Sequence, residues 1–353
     1  MRGIPAPPDS SPGRRRVLAS TAALAAEVQR ELGRTVPFDW LCVGITDPSS
    51  GLVTMAQDCT PIGPPEVYIA TEFLIPDVNR IAWLAGQPDP VGVLSRATGG
   101  DVSKSYRYRH ALRPSGIEHE LRAALVIDGA CWGYLVLLRG PGRPDFSRGE
   151  ARQVRAAVPG LAGGLRSGLL AVPPAAQSGP PGSGVAVIGD DGSVVAANAR
   201  AMEVFERLAA QHPAVPLKLP VPVTAVVASL GDPAGPECRR VLLRCPDDGW
   251  LVLEGSRVSS PQGGSRAVVS AAPAGPLTLA PLLLQACGLT EREIAVAECV
   301  LGGMSTAEIA GYLHISMYTV QDHLKAVFTK TGVRARRAFV RFVLASAAPS
   351  AAS

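Results

Sequence analysis

At 353 residues the chain is too long for one small domain and suits two or three. Its hydrophobic content of 47% supports packed cores and excludes wholesale disorder. The formal charge of +4, from 34 basic and 30 acidic residues, permits nucleic-acid binding without arguing for it, so the placement of the basic residues has to decide.

Residues 1–13 (MRGIPAPPDSSPG) are rich in Pro, Ser and Gly and are expected to be disordered. The stretch GRRRVLASTAALAA, Gly13 to Ala26, imitates a twin-arginine export signal. Its apolar run stops at Glu27, however, and Leu18, Leu24, Val28 and Leu32 continue across it at helical spacing. A first helix of a cytoplasmic domain is therefore expected. No run reaches the ~18–20 apolar residues of a membrane span, so no membrane partner is expected.

Residues 14–170 read as one α+β unit. WLCVGITDPSSGLVTMAQD gives two strands around a Pro-Ser-Ser-Gly turn, and helical patterns follow near 67–85 and 104–112. LRAALVIDGACWGYLVLLRG forms a second hairpin turning at Asp128-Gly129. Ser147 then caps a long helix to about Leu170, with Glu150 three residues on as the other half of a capping box. This order, with DPSSGL and CWGYLVLLR, resembles a GAF-type sensory domain. The resemblance implies a small-molecule effector held between sheet and helices, or dimerisation through the outer helices. His110 and His119 are read as solvated or capping residues rather than haem ligands.

Residues 171–183 have the composition of a semi-extended linker. Residues 184–273 begin with a strand, an Asp-Asp-Gly turn, a strand and a helix from Asn198. VPVTAVVASL supplies a short helix, and RRVLLRC, GWLVLEGSRV and SRAVVSAAP supply further strands. The opening is similar to a PAS domain, here a reduced one with a structural or dimerising use. Residues 274–287 are expected to be a connector helix.

Catalytic patterns fail. GGDVSKS puts Ser103 where a phosphate loop needs glycine, GGSRA lacks the second glycine of a nucleophile elbow, and HELRA lacks the second histidine of a zinc-protease helix. The seven cysteines, Cys42, Cys59, Cys131, Cys238, Cys245, Cys287 and Cys299, form no CxxC pair and no zinc spacing. They are read as free, mostly buried thiols, with Cys59 the one in a polar setting. No enzyme activity, cofactor or metal is expected.

From residue 288 the pattern changes. Thr290 and Glu293 form one capping box and Ser305 and Glu308 another. Ile294, Ala297, Val300 and Leu301 mark the inner face of the first helix; Ile309, Ala310 and Leu313 mark that of the second. Only His314 and Ile315 separate this short second helix from a third capped by Ser316, and His314 falls where a left-handed turn residue fits. The third helix, Met317 to about Thr331, carries a core stripe of Val320, Leu324, Val327 and Phe328. Its other faces hold Thr319, Gln321, Asp322, His323, Lys325 and Thr329, groups able to bond base edges and phosphates.

Leu289-Thr290-x-Arg292-Glu293, Glu308-Ile309-Ala310, Leu313-x-Ile315-Ser316, Thr319-Val320, His323-Leu324, Lys330 and Gly332-Val333 together resemble the LuxR-type (NarL/FixJ) DNA-binding domain over 288–345. That resemblance implies an all-α, four-helix unit whose third helix enters the major groove of double-stranded DNA and whose fourth, about 335–345, dimerises. It places Gln321, Asp322 and Lys325 before the bases, with His323 on the flank. Ser316, Thr319, Lys330 and Arg334 fall near phosphates, and Arg336 and Arg337 on the electrostatic rim. Gln321 replaces the family's frequent Lys, and Thr306-Ala307 its frequent Asn-Lys. Seven basic residues face five acidic ones over 288–345, a net +2, so modest intrinsic affinity is expected.

The chain is thus expected to be an α+β multidomain protein: a GAF-like α/β sandwich, a small PAS-like α+β domain and a C-terminal helix-turn-helix domain, with residues 346–353 a disordered tail. Its expected function is that of a sequence-specific, homodimeric transcriptional regulator in the cytoplasm, with RNA polymerase a candidate partner. A protein–protein signalling module whose helix-turn-helix no longer binds DNA is the alternative.

Overall fold

The computed structural model describes residues 17–57, 65–171, 182–211, 218–231, 237–245, 249–259 and 265–347. The expectations for residues 1–13, for most of 171–183 and 346–353, and for Cys59 lie outside them. Two five-stranded antiparallel sheets and a C-terminal helical unit make up the α+β multidomain architecture.

The first unit comprises α1 (Thr21–Leu32), β1 (Trp40–Thr46), β2 (Val53–Ala56), α2 (Pro65–Phe73), α3 (Ile81–Ala85), β3 (Val91–Val93), α4 (Leu94–Ala97), β4 (His119–Ile127), β5 (Ala130–Arg139) and α5 (Arg148–Ala171). Its sheet order is β2-β1-β5-β4-β3. Leu24, Val28 and Leu32 of α1 and Val154, Val158 and Leu161 of α5 pack on Val43, Leu121, Leu135 and Leu137, covering one sheet face. Within the segment that resembles an export signal, residues 21–26 begin this core helix. Asp128 (φ 51) and Gly129 (φ 78) both take the left-handed conformation that a tight two-residue hairpin requires. Ser147 and Glu150 exchange the bonds of the expected capping box, at 3.1 and 2.8 Å.

Two helical expectations need correction. The 67–85 pattern is two helices rather than one, because Pro76 disfavours helical geometry at Ile75 and α2 ends at Phe73. The 104–112 pattern is a 3-10 turn (Val102–Lys104) followed by a single π-type turn (Tyr108–Leu112). Here Asp77 Oδ2 accepts from the Arg107 backbone N–H (2.7 Å) and from Ser105 Oγ (2.9 Å), taking the place of a helical carbonyl. The distortion lets the fully buried Arg107 reach Glu120, with Nε to Oε1 at 3.1 Å and Nη2 to Oε2 at 2.8 Å. Burial alone would lower the Arg107 guanidinium, but Glu120 holds its pKa raised.

The second unit comprises β6 (Gly184–Ile188), β7 (Val194–Ala197), α6 (Ala199–Ala210), α7 (Val221–Ser229), β8 (Cys238–Cys245), β9 (Gly249–Ser259) and β10 (Ser265–Pro273). Its sheet order, β7-β6-β10-β9-β8, repeats the topology of the first: two opening strands, with the last strand beside the first. Asn198 caps α6, its side chain accepting from the Ala201 N–H at 2.9 Å. The two units interlock. Leu52 of the β1–β2 turn lies in the core of the second unit, and the Leu242 N–H donates to Asp47 Oδ2 at 3.1 Å.

The cysteine expectation holds only in part. Cys131, Cys238, Cys245, Cys287 and Cys299 form no disulfide, but Cys238 is exposed and Cys42 is disulfide-bonded. Among the described residues no helix is long and apolar enough to cross a membrane.

Candidate nucleic-acid interface

After α8 (Pro276–Ala286) come α9 (Glu291–Leu301), α10 (Thr306–Leu313), α11 (Met317–Thr331) and α12 (Arg336–Ala347). Both capping boxes form. The Thr290 N–H donates to Glu293 Oε2 at 2.7 Å, and the Ser305 N–H to Glu308 Oε2 at 2.6 Å, with each hydroxyl returning the bond. His314 ends α10 at φ 53, ψ 46, where its N–H meets the Ala310 and Gly311 carbonyls. This left-handed residue turns the chain within two positions and sets α11 across α10.

Val296, Val300, Ile309, Val320, Val327 and Phe339 form the core that fixes α11, with the Phe328 and Phe339 rings 6.2 Å apart. The inner face of α9 departs from expectation. Val296 and Cys299 are buried with Ala297 and Val300, whereas Ile294 and Leu301 are only half-buried. The reason is that α9 is packed between α8 and α11, so it needs two apolar sides.

With its core stripe fixed, α11 presents Gln321, Asp322, Lys325 and Thr329 to solvent, and His323 half-buried at the edge. Gln321, Lys325 and Arg334 line one surface groove floored by Leu324 and Phe328. Ser316 Oγ accepts from the Thr319 N–H at 3.0 Å and lies 2.9 Å from Thr319 Oγ1, so both hydroxyls first serve the N-cap. Arg337 is exposed.

Lys330 and Arg336 are placed differently. Lys330 Nζ lies 2.7 Å from Glu293 Oε2, and Arg336 donates to the Met304 carbonyl. Burial would raise the Glu293 carboxyl, but Lys330 and the Thr290 N–H hold it below the usual range.

Tyr312, Met317 and Tyr318 are 68%, 55% and 74% exposed around the start of α11, an apolar surface that no motif in the sequence marks. The available signal was position: Tyr318 stands two residues from Val320 and so falls off the core stripe.

A short helix, a left-handed turn and a longer helix with an outward polar face define a helix-turn-helix module. Residues 288–343 match the family described as "Bacterial regulatory proteins, luxR family" (GerE), and the C-terminal unit is a LuxR-family helix-turn-helix domain. No curated protein matches the chain. Among solved structures, the VqmA–ligand–DNA complex of Vibrio cholerae is 21% identical over 49% of this chain and 87% of that one, with a TM-score of 0.23. Escherichia coli SdiA is 10% identical over 93% and 91%, with a TM-score of 0.28. The GAF domain/HD domain protein of Geobacter sulfurreducens is 17% identical over 40% and 88%, with a TM-score of 0.27.

Proposed function

We propose that the chain is a one-component transcriptional regulator whose C-terminal domain binds double-stranded DNA, as a homodimer, under control of the two preceding modules. The observation that carries this reading is the outward face of α11. Gln321, Asp322 and Lys325 stand exposed while Val320 and Val327 are fully buried behind them. In this reading Gln321, Asp322 and Lys325 face the bases, with His323 at the edge of the groove. Ser316, Thr319 and Arg334 approach phosphates beside the positive end of α11, and Arg336 and Arg337 form the rim. Lys330 contributes from its pair with Glu293.

The test is binding of the full chain to genomic DNA fragments, followed by anisotropy titration on the best of them. A preferred sequence and roughly tenfold or greater loss in Lys325→Ala are expected. If no fragment binds at low salt, and Lys325→Ala changes nothing, the reading fails. The exposed Tyr312, Met317 and Tyr318 favour a second reading, a protein–protein surface. Substituting those three would then abolish partner binding with DNA affinity unchanged.

A further inference from the structure

The helix α8, which joins the second module to the helix-turn-helix domain, has two apolar faces. Leu279, Leu282, Leu283 and Ala286 stand at i, i+3, i+4 and i+7 and form the first. Leu279, Leu282 and Leu283 pack with Leu242 and Trp250 of the second module, and Ala286 enters the core of the first module. Ala280, Leu284 and the C-cap Cys287 form the second face. They lie in the core of the helix-turn-helix domain with Val296, Val320, Phe339 and Val343. All seven of these α8 side chains are buried, whereas Leu277, on neither face, is 62% exposed.

The junction with α9 is fixed as well. Gly288 turns the chain at φ 80, its N–H donating to the Gln285 carbonyl at 2.9 Å and the Leu289 N–H to the Leu284 carbonyl at 3.1 Å. With Leu284 and Leu289 in one core, this pair of bonds closes α8 in a Schellman turn. Arg166 of α5 stands beside it. Its guanidinium lies 2.6 Å from Asp128 in the β4–β5 turn, and a Cβ added at Gly288 would stand 3.6 Å from its Nη1. Leu170, one turn further along α5, packs against both the Trp250 cluster and the helix-turn-helix core. The face of α11 that carries Gln321, Asp322, Lys325 and Thr329 is exposed throughout.

We propose that α8 clamps the helix-turn-helix domain to the two modules as one rigid body, and that the modules act on DNA by orienting α11 through α8 rather than by covering it. Tethered domains move against each other by default unless a large apolar contact holds them. Here the two faces of α8 belong to different close-packed cores, so the domain cannot turn without unpacking one of them. The path is contiguous, from Leu242 and Trp250 through α8 to Val296 and Phe339, and from there to Val320 of α11. The orienting role rests on the proposed DNA binding. The clamp is measured without DNA, so its failure leaves the DNA-binding reading standing.

Relaxation of backbone amides in the full chain, deuterated and labelled with nitrogen-15, gives a rotational correlation time for each unit. The helices α9 to α12 and the strands of both sheets are expected to share one value. A value for the helices of about two-thirds that of the sheets, or less, overturns the proposal. This measurement uses the parent chain, so it does not hang on a variant folding. Leu283→Asp puts a charge into the Trp250 cluster and leaves the second face of α8 intact. It is expected to shorten the correlation time of the helix-turn-helix domain alone by about twofold, and Leu277→Asp to change nothing. Equal correlation times in Leu283→Asp and the parent overturn the clamp. On the DNA fragment that the parent binds best, Leu283→Asp is expected to bind severalfold more weakly, because a loosened domain must be oriented on binding. An affinity equal to the parent's, or above it, overturns the orienting role. A parent that binds no fragment overturns the DNA-binding reading and the orienting role with it, while the correlation times still decide the clamp.

Discussion

Lys330, in the last turn of α11, holds Glu293, in the first turn of α9, at 2.7 Å. A residue expected near a phosphate therefore also ties α11 to the start of the domain. The same carboxylate closes the Thr290 capping box, so a single group serves two helices.

This arrangement makes domain stability pH-dependent. The folded carboxyl of Glu293 titrates below its ordinary range of about 4.3. Its contribution is therefore complete above that value and is lost as pH falls through the lower, folded one. With the Lys330 side chain 35% exposed, the ion-pair part is below about 1 kcal/mol. Thermal melts between pH 7 and pH 3 should show Glu293→Gln less stable at neutral pH and converging on the parent in acid. Parallel curves would refute the assignment.

The turn between α10 and α11 makes a second test. His314 sits at φ 53, a conformation that glycine adopts freely and a β-branched residue resists. His314→Gly should leave stability unchanged or raise it, and His314→Val should lower it by about 1–2 kcal/mol, read from denaturant midpoints. Equal effects of the two substitutions would mean that the left-handed turn is not kept.

In the first module, removing Glu120 takes the closer of two carboxylates from a fully buried guanidinium and leaves it Asp77 Oδ2 at 3.7 Å. Glu120→Ala should cost about 3–5 kcal/mol, whereas a double change to apolar residues, Arg107→Met with Glu120→Leu, should recover most of that loss. Urea unfolding followed by Trp fluorescence measures both. A single variant as stable as the parent would show that the pair contributes nothing to the fold.

On DNA, the two kinds of contact should separate. Arg334→Ala should weaken binding about equally for all sequences and reduce the slope of log affinity against log salt by about 1. Gln321→Lys should instead shift preference away from adenine at one position, seen by selection from random duplexes. If both variants lost affinity without changing preference, α11 would not be reading bases.

The local devices of this fold are legible in the chain. Both capping boxes of the helix-turn-helix domain, the Ser147–Glu150 box and the Asp128-Gly129 hairpin turn depend on residues within four positions of one another. Side-chain type and spacing therefore specify them. Periodicity within α9 does not give its second apolar side, because Val296 and Cys299 are buried in a core built with other helices. The break at 104–112 was hidden for the same reason. The competitor for its helical hydrogen bonds is Asp77, some thirty residues upstream.

The existence and kind of the C-terminal domain follow from residue order, because its caps, core stripe and polar face are short-range patterns on single helices. Which charges remain available on it, and where the modules meet, depend on how the segments pack. Lys330 finds Glu293, and Asp47 reaches Leu242. Each of these outcomes depends on distances between segments far apart in the chain, which residue order alone does not encode.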